Sequence, residues 1–351
     1  MKKSNRKYLL VSFTILLMIT SGCMSGTEKT VETMTFKQNQ GLILLSAPSV
    51  NNKYYSSIIQ DVMKADKEFL DNEGEGDKVF VMADYETEAA LKNHIPKERI
   101  AITGYEDVWL RDVGPVVTKR LVKFLYKPVY LESAVADDYD NRFRMILDQN
   151  GFTYHQSELV LDGGNAIWNG AEAVILTERV LADNKQLSEN EITEILKKDL
   201  MVNTIIYLPE EEGDVLAHSD GMVKFISEKE ILISDFNDNK VFRKKVEAAI
   251  KEKMPDAEFI VIPSSYTESQ YDAVIASARG VYVNILETVN NVYVPMYGFK
   301  EDNEILDLVT ELYNKTVIGI DVERVSVMGG AVNCLTWYCP PEFIPEALIT
   351  N

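Results

Sequence analysis

Four short segments of this chain, far apart in sequence, carry side chains able to do chemistry together. They are Trp109-Leu110-Arg111-Asp112-Val113-Gly114-Pro115, Leu161-Asp162-Gly163-Gly164-Asn165, His218-Ser219-Asp220 and Gly329-Gly330-Ala331-Val332-Asn333-Cys334-Leu335-Thr336. Carboxylates on one edge of a planar cation fix it through paired N–H bonds. A thiolate can then attack the central carbon while an imidazole moves protons. Guanidinium chemistry is therefore the leading reading of the set.

Each segment also has an ordinary explanation. His218 and Asp220 are two apart, so in a strand they would share a face and address one ligand; a surface His-x-Asp pair is the alternative. Arg111 beside Asp112 is expected to hold that carboxylate ionised. Trp109 either covers a substrate or packs. Asp162 before two glycines reads as an Asx-turn or as a ligand-facing carboxylate. Cys334 reads as a buried inert thiol or as a nucleophile. Three histidines and no Cys-x-x-Cys spacing give no basis for a metal site. Gly163-Gly164 is followed by Asn165-Ala166-Ile167-Trp168, not by a Lys-Ser/Thr pair, so a phosphate-binding P-loop is excluded. The glycine pairs instead mark close approaches of backbone to a ligand or to neighbouring strands.

The elements that must position these residues alternate. Strand patterns cover Leu42–Ser46, Lys78–Met82, Ala173–Leu176, Thr204–Leu208, Ile231–Ser234, Glu258–Ile262 and Val281–Leu286. Helical spacing covers Tyr55–Leu70, Glu86–Asn93, Asp137–Gln149, Glu189–Asp199, Lys240–Met254, Glu268–Ala278 and Asp302–Tyr313. The fold class is α/β. No low-complexity linker interrupts the chain after residue 40, so residues 41–351 are expected to form one domain.

The N-terminus reads differently. Lys2, Lys3, Arg6 and Lys7 precede an apolar run from Tyr8 to Thr20, and Thr20-Ser21-Gly22 then leads into Cys23. That is the layout of a secretion signal over residues 1–22. The small residues before Cys23 point to cleavage there and lipidation of its thiol, with residues 23–40 as a polar tether. The protein is then expected outside the cytoplasm, touching membrane only through that anchor. With Cys23 assigned to the anchor, Cys334 and Cys339 remain, and one bridge between them is the most that is possible. The 46% hydrophobic content fits a globular protein rather than a disordered one. A net charge of −19 disfavours nucleic acid and favours cationic ligands, although excess carboxylates also serve solubility alone.

Together and in this order, the four segments resemble the agmatine deiminase and bacterial (Porphyromonas-type) peptidylarginine deiminase family of guanidine-modifying enzymes. The Trp-x-Arg-Asp-x-Gly-Pro, Glu/Asp-Gly-Gly-Asn, His-x-Asp and Gly-Gly-x-x-x-Cys-x-Thr elements all have counterparts. Tyr282-Val283-Asn284, followed by Val294-Pro295-Met296-Tyr297-Gly298, is similar to a fifth. The resemblance spans roughly Lys78 to Trp337. It implies a five-bladed α/β propeller with pseudo-fivefold symmetry and a central site. It also implies Cys334 as nucleophile, His218 as general acid/base, Asp112 and Asp220 as the guanidinium clamp, and Asp162 as the residue orienting His218. Trp109, Arg111, Gly163, Gly164, Asn165, Asn284, Gly330 and Asn333 would line the substrate. No metal or organic cofactor is implied. The substrate would be a small guanidine (agmatine or arginine) or an arginine-containing peptide.

Three departures stand out. Agmatine deiminases carry a Met-Pro-Ala-Glu-Trp-like opening and a Trp-x-x-Trp-Pro stretch that help define the amine pocket; Leu42–Pro48 lacks that opening. Asn333 stands where histidine commonly precedes the nucleophile, and Asp162 is one methylene shorter than the usual glutamate. An amidinotransferase, or a lipid-anchored guanidinium-binding protein without turnover, are the alternative readings.

Overall fold

Five strands run almost wholly through the interior, and each sits at the centre of its own small sheet. They are the middle strands of five units with one plan: a short strand, an antiparallel turn into the central strand, a helix, and a third strand parallel to the central one. A central strand with neighbours on both edges and cover on both faces must be apolar throughout. Gly41–Ser46 and Ala173–Thr177 are accordingly buried at every position.

The computed structural model describes residues 34–265 and 275–350. The first unit holds β1 (Gly41–Ser46), α1 (Ile59–Asp71), β2 (Asp77–Ala83), α2 (Tyr85–Leu91) and an added strand β3 (Ile100–Ile102). The second holds α3 (Leu110–Val113), β4 (Val116–Val117), β5 (Leu121–Leu125), α4 (Ser133–Gln149) and β6 (His155–Val160). The third holds β7 (Ile167–Trp168), β8 (Ala173–Thr177), α5 (Arg179–Asp183), α6 (Glu189–Leu200) and β9 (Thr204–Leu208). The fourth holds β10 (Val223–Phe225), β11 (Glu230–Ser234), α7 (Lys240–Lys253) and β12 (Glu258–Ile262). The fifth holds β13 (Leu286–Glu287), β14 (Asn291–Met296), α8 (Asp302–Leu312) and β15 (Thr316–Asp321). After α9 (Val332–Leu335), the last strand β16 (Trp337–Cys339) pairs antiparallel with β1, Leu44 opposite Trp337. The C-terminal strand thus supplies the short strand that the first unit lacks.

The helices cover the sheets with the faces their spacing predicts. Ile59, Val62, Met63, Ala65, Asp66 and Phe69 of α1 turn inward. Ser188 and Glu191 close a capping box at the start of α6, a motif worth about 1 kcal/mol. One cation is deep in this scaffold. Lys123 on β5 is 1% exposed, pairs with Asp140 of α4 and donates to the Phe124 carbonyl.

Six of the seven expected strands and six of the seven expected helices are present within a few residues. Val281–Leu286 is not a strand. Its backbone turns instead, with Asn284 N–H bonded to the Val281 carbonyl, because Asn284 is drawn to the cysteine turn described below. Most of the helix expected over Glu268–Ala278 lies outside the described residues, and residues 275–278 are not helical. The signal, Cys23 and most of the tether also lie outside them. The last residues of the expected tether pack into the folded body instead: Met34 and Phe36 are buried, and Phe36 bonds residues near the C-terminus through the carbonyl of Leu348 and the N–H of Thr350.

Candidate active site

In each unit the short strand is preceded by a tight turn, and all five turns contribute to one site. Asp112 is in α3 before β4. Asp162 caps the turn Gly163–Asn165 before β7. His218 caps, and Asp220 lies in, the turn Ser219–Gly221 before β10. Asn284 precedes β13, and Cys334 is in α9 before β16. His218 and Asp220 are thus on a helical turn and not on the strand their spacing suggested. The sharp entry is made by Ala217 at φ +50°, a left-handed conformation uncommon for alanine.

His218 stands between two carboxylates. Its Nε2 is 3.2 Å from Asp162 Oδ2 and its Nδ1 3.5 Å from Asp112 Oδ1. Asp162 therefore reaches the ring despite its shorter side chain. Burial works against the charge on His218, but Asp112 and then Asp162 outweigh it, and the imidazole is pushed up to about 10. It is a cation at neutral pH. Asp112 is raised to about 7, chiefly by burial, with His218 opposing. Arg111 makes no direct ion pair with Asp112, and its attraction for that carboxylate does not prevent the rise. Its Nη2 donates to the Ala166 carbonyl at 2.9 Å, and its side chain lines a different cavity.

Cys334 is 7% exposed, and its Sγ lies 3.6 Å from Asp220 Oδ2. Burial first, and then the negative charges of Asp220 and Asp112, hold the thiol well above its ordinary value. The resting site therefore pairs an imidazolium with a protonated thiol. Asn284 fixes the cysteine turn: its Oδ1 accepts from the N–H groups of Asn333 at 3.0 Å and Cys334 at 3.4 Å, and its Nδ2 donates to Sγ at 3.3 Å. Asn333 Nδ2 donates to Asp220 Oδ2 at 2.8 Å, so this residue anchors one arm of the expected clamp. Cys334 and Cys339 are both free; Cys339 lies in β16 opposite Leu42, so the bridge considered from sequence is not formed.

The glycines are required by space. A Cβ on Gly164 would lie 2.5 Å from Asp112 Oδ1 and 2.9 Å from His218 Nδ1, while its N–H donates to Asp112 at 3.2 Å. A Cβ on Gly163 would sit 2.2 Å from the Arg111 carbonyl, and one on Gly330 2.4 Å from the Trp109 ring. Asn165 acts on backbone: its Oδ1 accepts from Thr177 N–H at 2.9 Å and Ser219 N–H at 3.2 Å, tying two turns together.

A cavity of about 260 Å³ opens over His218, Asp220, Asn284 and Cys334, and its outer wall carries Glu211, Glu212 and Asp214. A small enclosed space of about 20 Å³ adjoins it between Trp109, Asp112, Tyr130, His218, Gly330 and Cys334. Tyr130 and the acidic wall were not anticipated. The run Glu211-Glu212-Gly213-Asp214 just before His218 was the available signal; Tyr130 had none, because it meets the site only through the fold.

A buried thiol and an imidazolium flanked by carboxylates define a site for nucleophilic attack on a small cation. The chain belongs to the Porphyromonas-type peptidyl-arginine deiminase family, which it matches over residues 36–340. It is 25% identical over 291 residues to the agmatine deiminase of Stutzerimonas stutzeri, covering 71% of this chain and 78% of that protein. The solved structure of the C. jejuni agmatine deiminase superposes with a TM-score of 0.72 at 20% identity, over 87% of this chain and 95% of that one. The agmatine deiminase of Enterococcus faecalis gives 0.73 at 17% identity, over 86% and 94%.

Proposed function

We propose that this chain is a cysteine-dependent guanidine deiminase that converts a guanidinium into a ureido group and ammonia. The observation that carries this reading is that Cys334 Sγ and the His218 ring open into one cavity bounded by the carboxylate Asp220, with Asp112 in the adjoining space. A guanidinium is a poor electrophile because its charge is shared by three nitrogens. Asp112 and Asp220 offset this by holding the cation against sulfur, so that attack becomes intramolecular in effect. The incoming positive charge lowers the cost of the thiolate, and the thiol proton passes to solvent water. Sulfur attacks the guanidinium carbon, His218 gives its proton to the departing nitrogen, and the C–N bond breaks to free ammonia. A water then loses its proton to His218 and adds to the same carbon. The C–S bond breaks, leaving the ureido product and the cysteine.

The wall of Glu211, Glu212 and Asp214, with no lysine or arginine among the described residues lining that cavity, favours a guanidine whose far end is cationic or neutral. Agmatine and peptidyl-arginine fit this better than free arginine, whose carboxylate would face those acids. The five ββαβ units, closed by β16 on β1, support a five-bladed α/β propeller. The basic-apolar-Cys23 sequence supports an exported, lipid-anchored enzyme; fatty-acid labelling lost in Cys23→Ala is the expected result.

The direct test is ammonia and ureido product from agmatine, arginine and an arginine peptide, with Cys334→Ala as control. Loss of at least roughly a thousandfold in the variant is expected. Equal ammonia release by the two proteins for every guanidine would end the proposal.

A further inference from the structure

A second cavity, of about 450 Å³, lies at the five short strands themselves. Val117, Trp168, Lys224, Glu287 and Tyr338 occupy matching positions, the second residue of β4, β7, β10, β13 and β16, and all line it. Arg111 and Asn333 reach it from the turns that build the catalytic site, and Lys315 enters beside Glu287. In a chain of net charge −19, this cavity holds three cations, with Glu287 among them and Glu342 on its exposed edge.

The inner carboxylate, Glu287, is already engaged. Glu287 pairs with Lys315 at 2.7 Å, and Lys315 also donates to the Thr288 carbonyl at 2.6 Å. Lys224, 18% exposed in its side chain, comes no nearer to Glu287 than 4.0 Å, and among the described residues its ammonium has no hydrogen bond. Among the described residues Arg111 uses one donor, on Ala166, and its buried Nε has no partner. Burial lowers the proton affinity of Lys224 and repulsion from Arg111 and Lys315 adds to this, while Glu287 and, from the neighbouring turn, Asp220 oppose it; Asp220 and Asp112 also attract Arg111. A buried donor left unmade costs about 1–3 kcal/mol, more when charged, and a guanidinium fork beside an ammonium is suited to a small oxyanion.

We infer that this second cavity is a binding site for a small oxyanion, a carboxylate or a phosphate, held between Arg111 and Lys224. Because Arg111 adjoins Asp112 in sequence and Asn333 both lines the cavity and bonds Asp220, the occupant sits one residue behind the guanidinium clamp. The site is independent of the reaction proposed above, and its test is a binding measurement.

Inorganic phosphate and acetate are titrated separately at constant ionic strength into the whole protein, following the melting temperature and the heat of binding. Saturable binding of at least one anion is expected, weakened at least tenfold in Lys224→Met and tightened in Glu287→Gln, which releases both lysines. Saturation by phosphate alone assigns a tetrahedral occupant, and saturation by acetate assigns a carboxylate. Absence of saturable binding by either anion, or unchanged affinity in Glu287→Gln, overturns the inference even if Lys224→Met does not fold.

Discussion

The two cavities are built from the same five units and have opposite chemistry. At the cavity over Cys334 the turns present Asp220, His218 and Cys334 beneath a wall of Glu211, Glu212 and Asp214; at the other, Lys224 comes from β10, the strand after the His218 turn, and Arg111 from the α3 turn itself. The difference teaches that a side chain's neighbour in sequence need not be its partner in space. Arg111 and Asp112 are adjacent, yet Arg111 lines the second cavity while Asp112 faces the small space beside Cys334. Asp112 has no salt bridge with Arg111, and His218 is the charge that most favours its ionised form.

That comparison can be broken most directly at Gly164, the backbone point closest to both clamp and base. Gly164→Ala should keep the fold and lower kcat/KM by about 100-fold, since small misplacements near reacting groups cost that much; unchanged kinetics with an intact circular dichroism spectrum would show that the turn has room to spare.

The pH profile sharpens the contrast in charge. The clamp requires Asp112 ionised and the acid requires His218 protonated. With folded values of about 7 and about 10, kcat/KM for the free enzyme should rise about tenfold per unit up to pH 7 and fall above pH 10. The two groups interact, so the limbs report the pair. A fall beginning near pH 6.5, the ordinary imidazole value, would remove the imidazolium from the mechanism.

Asn333→Ala should follow, lowering kcat about tenfold through the lost bond to Asp220, with Asn333→His restoring part of it. Equal activity in the alanine variant would leave Asp220 positioned by other means. The smallest effect is expected at the acidic wall. Glu212→Gln with Asp214→Asn should raise KM for agmatine a few-fold and leave kcat in place, because exposed charges act mainly on uniform binding. A KM for agmatine that does not move would mean the wall plays no part in selecting a cationic tail.

Some of the fold was legible where burial is nearly total. The central strands β8 and β11 announce themselves as β-branched and apolar runs, because a central strand covered on both faces has little room for polar residues; β5 and β14, equally buried, went unread. The short strands β4, β7, β10, β13 and β16 went unseen: two or three residues carry no period. Val281–Leu286 misled for a related reason. Tyr282, Val283 and Ile285 are as buried as a strand would be, but the demand came from the cysteine turn that Asn284 fastens. His218 and Asp220 line one cavity, but from a helical turn entered through Ala217 and not from the strand their spacing suggested.

What the sequence by itself determined was the chemical inventory: a thiol, one imidazole, three aspartates, and the glycines without which they would collide. Side-chain chemistry and the steric minimum of glycine are local properties, carried by residue type. Only the tertiary structure decided which carboxylate meets which ring nitrogen, that Asp162 is long enough, that Arg111 points away from Asp112, and that Lys224 and Glu287 share a cavity. Those outcomes depend on distances among five separate units, and Coulomb interaction and desolvation follow distance and burial rather than order along the chain.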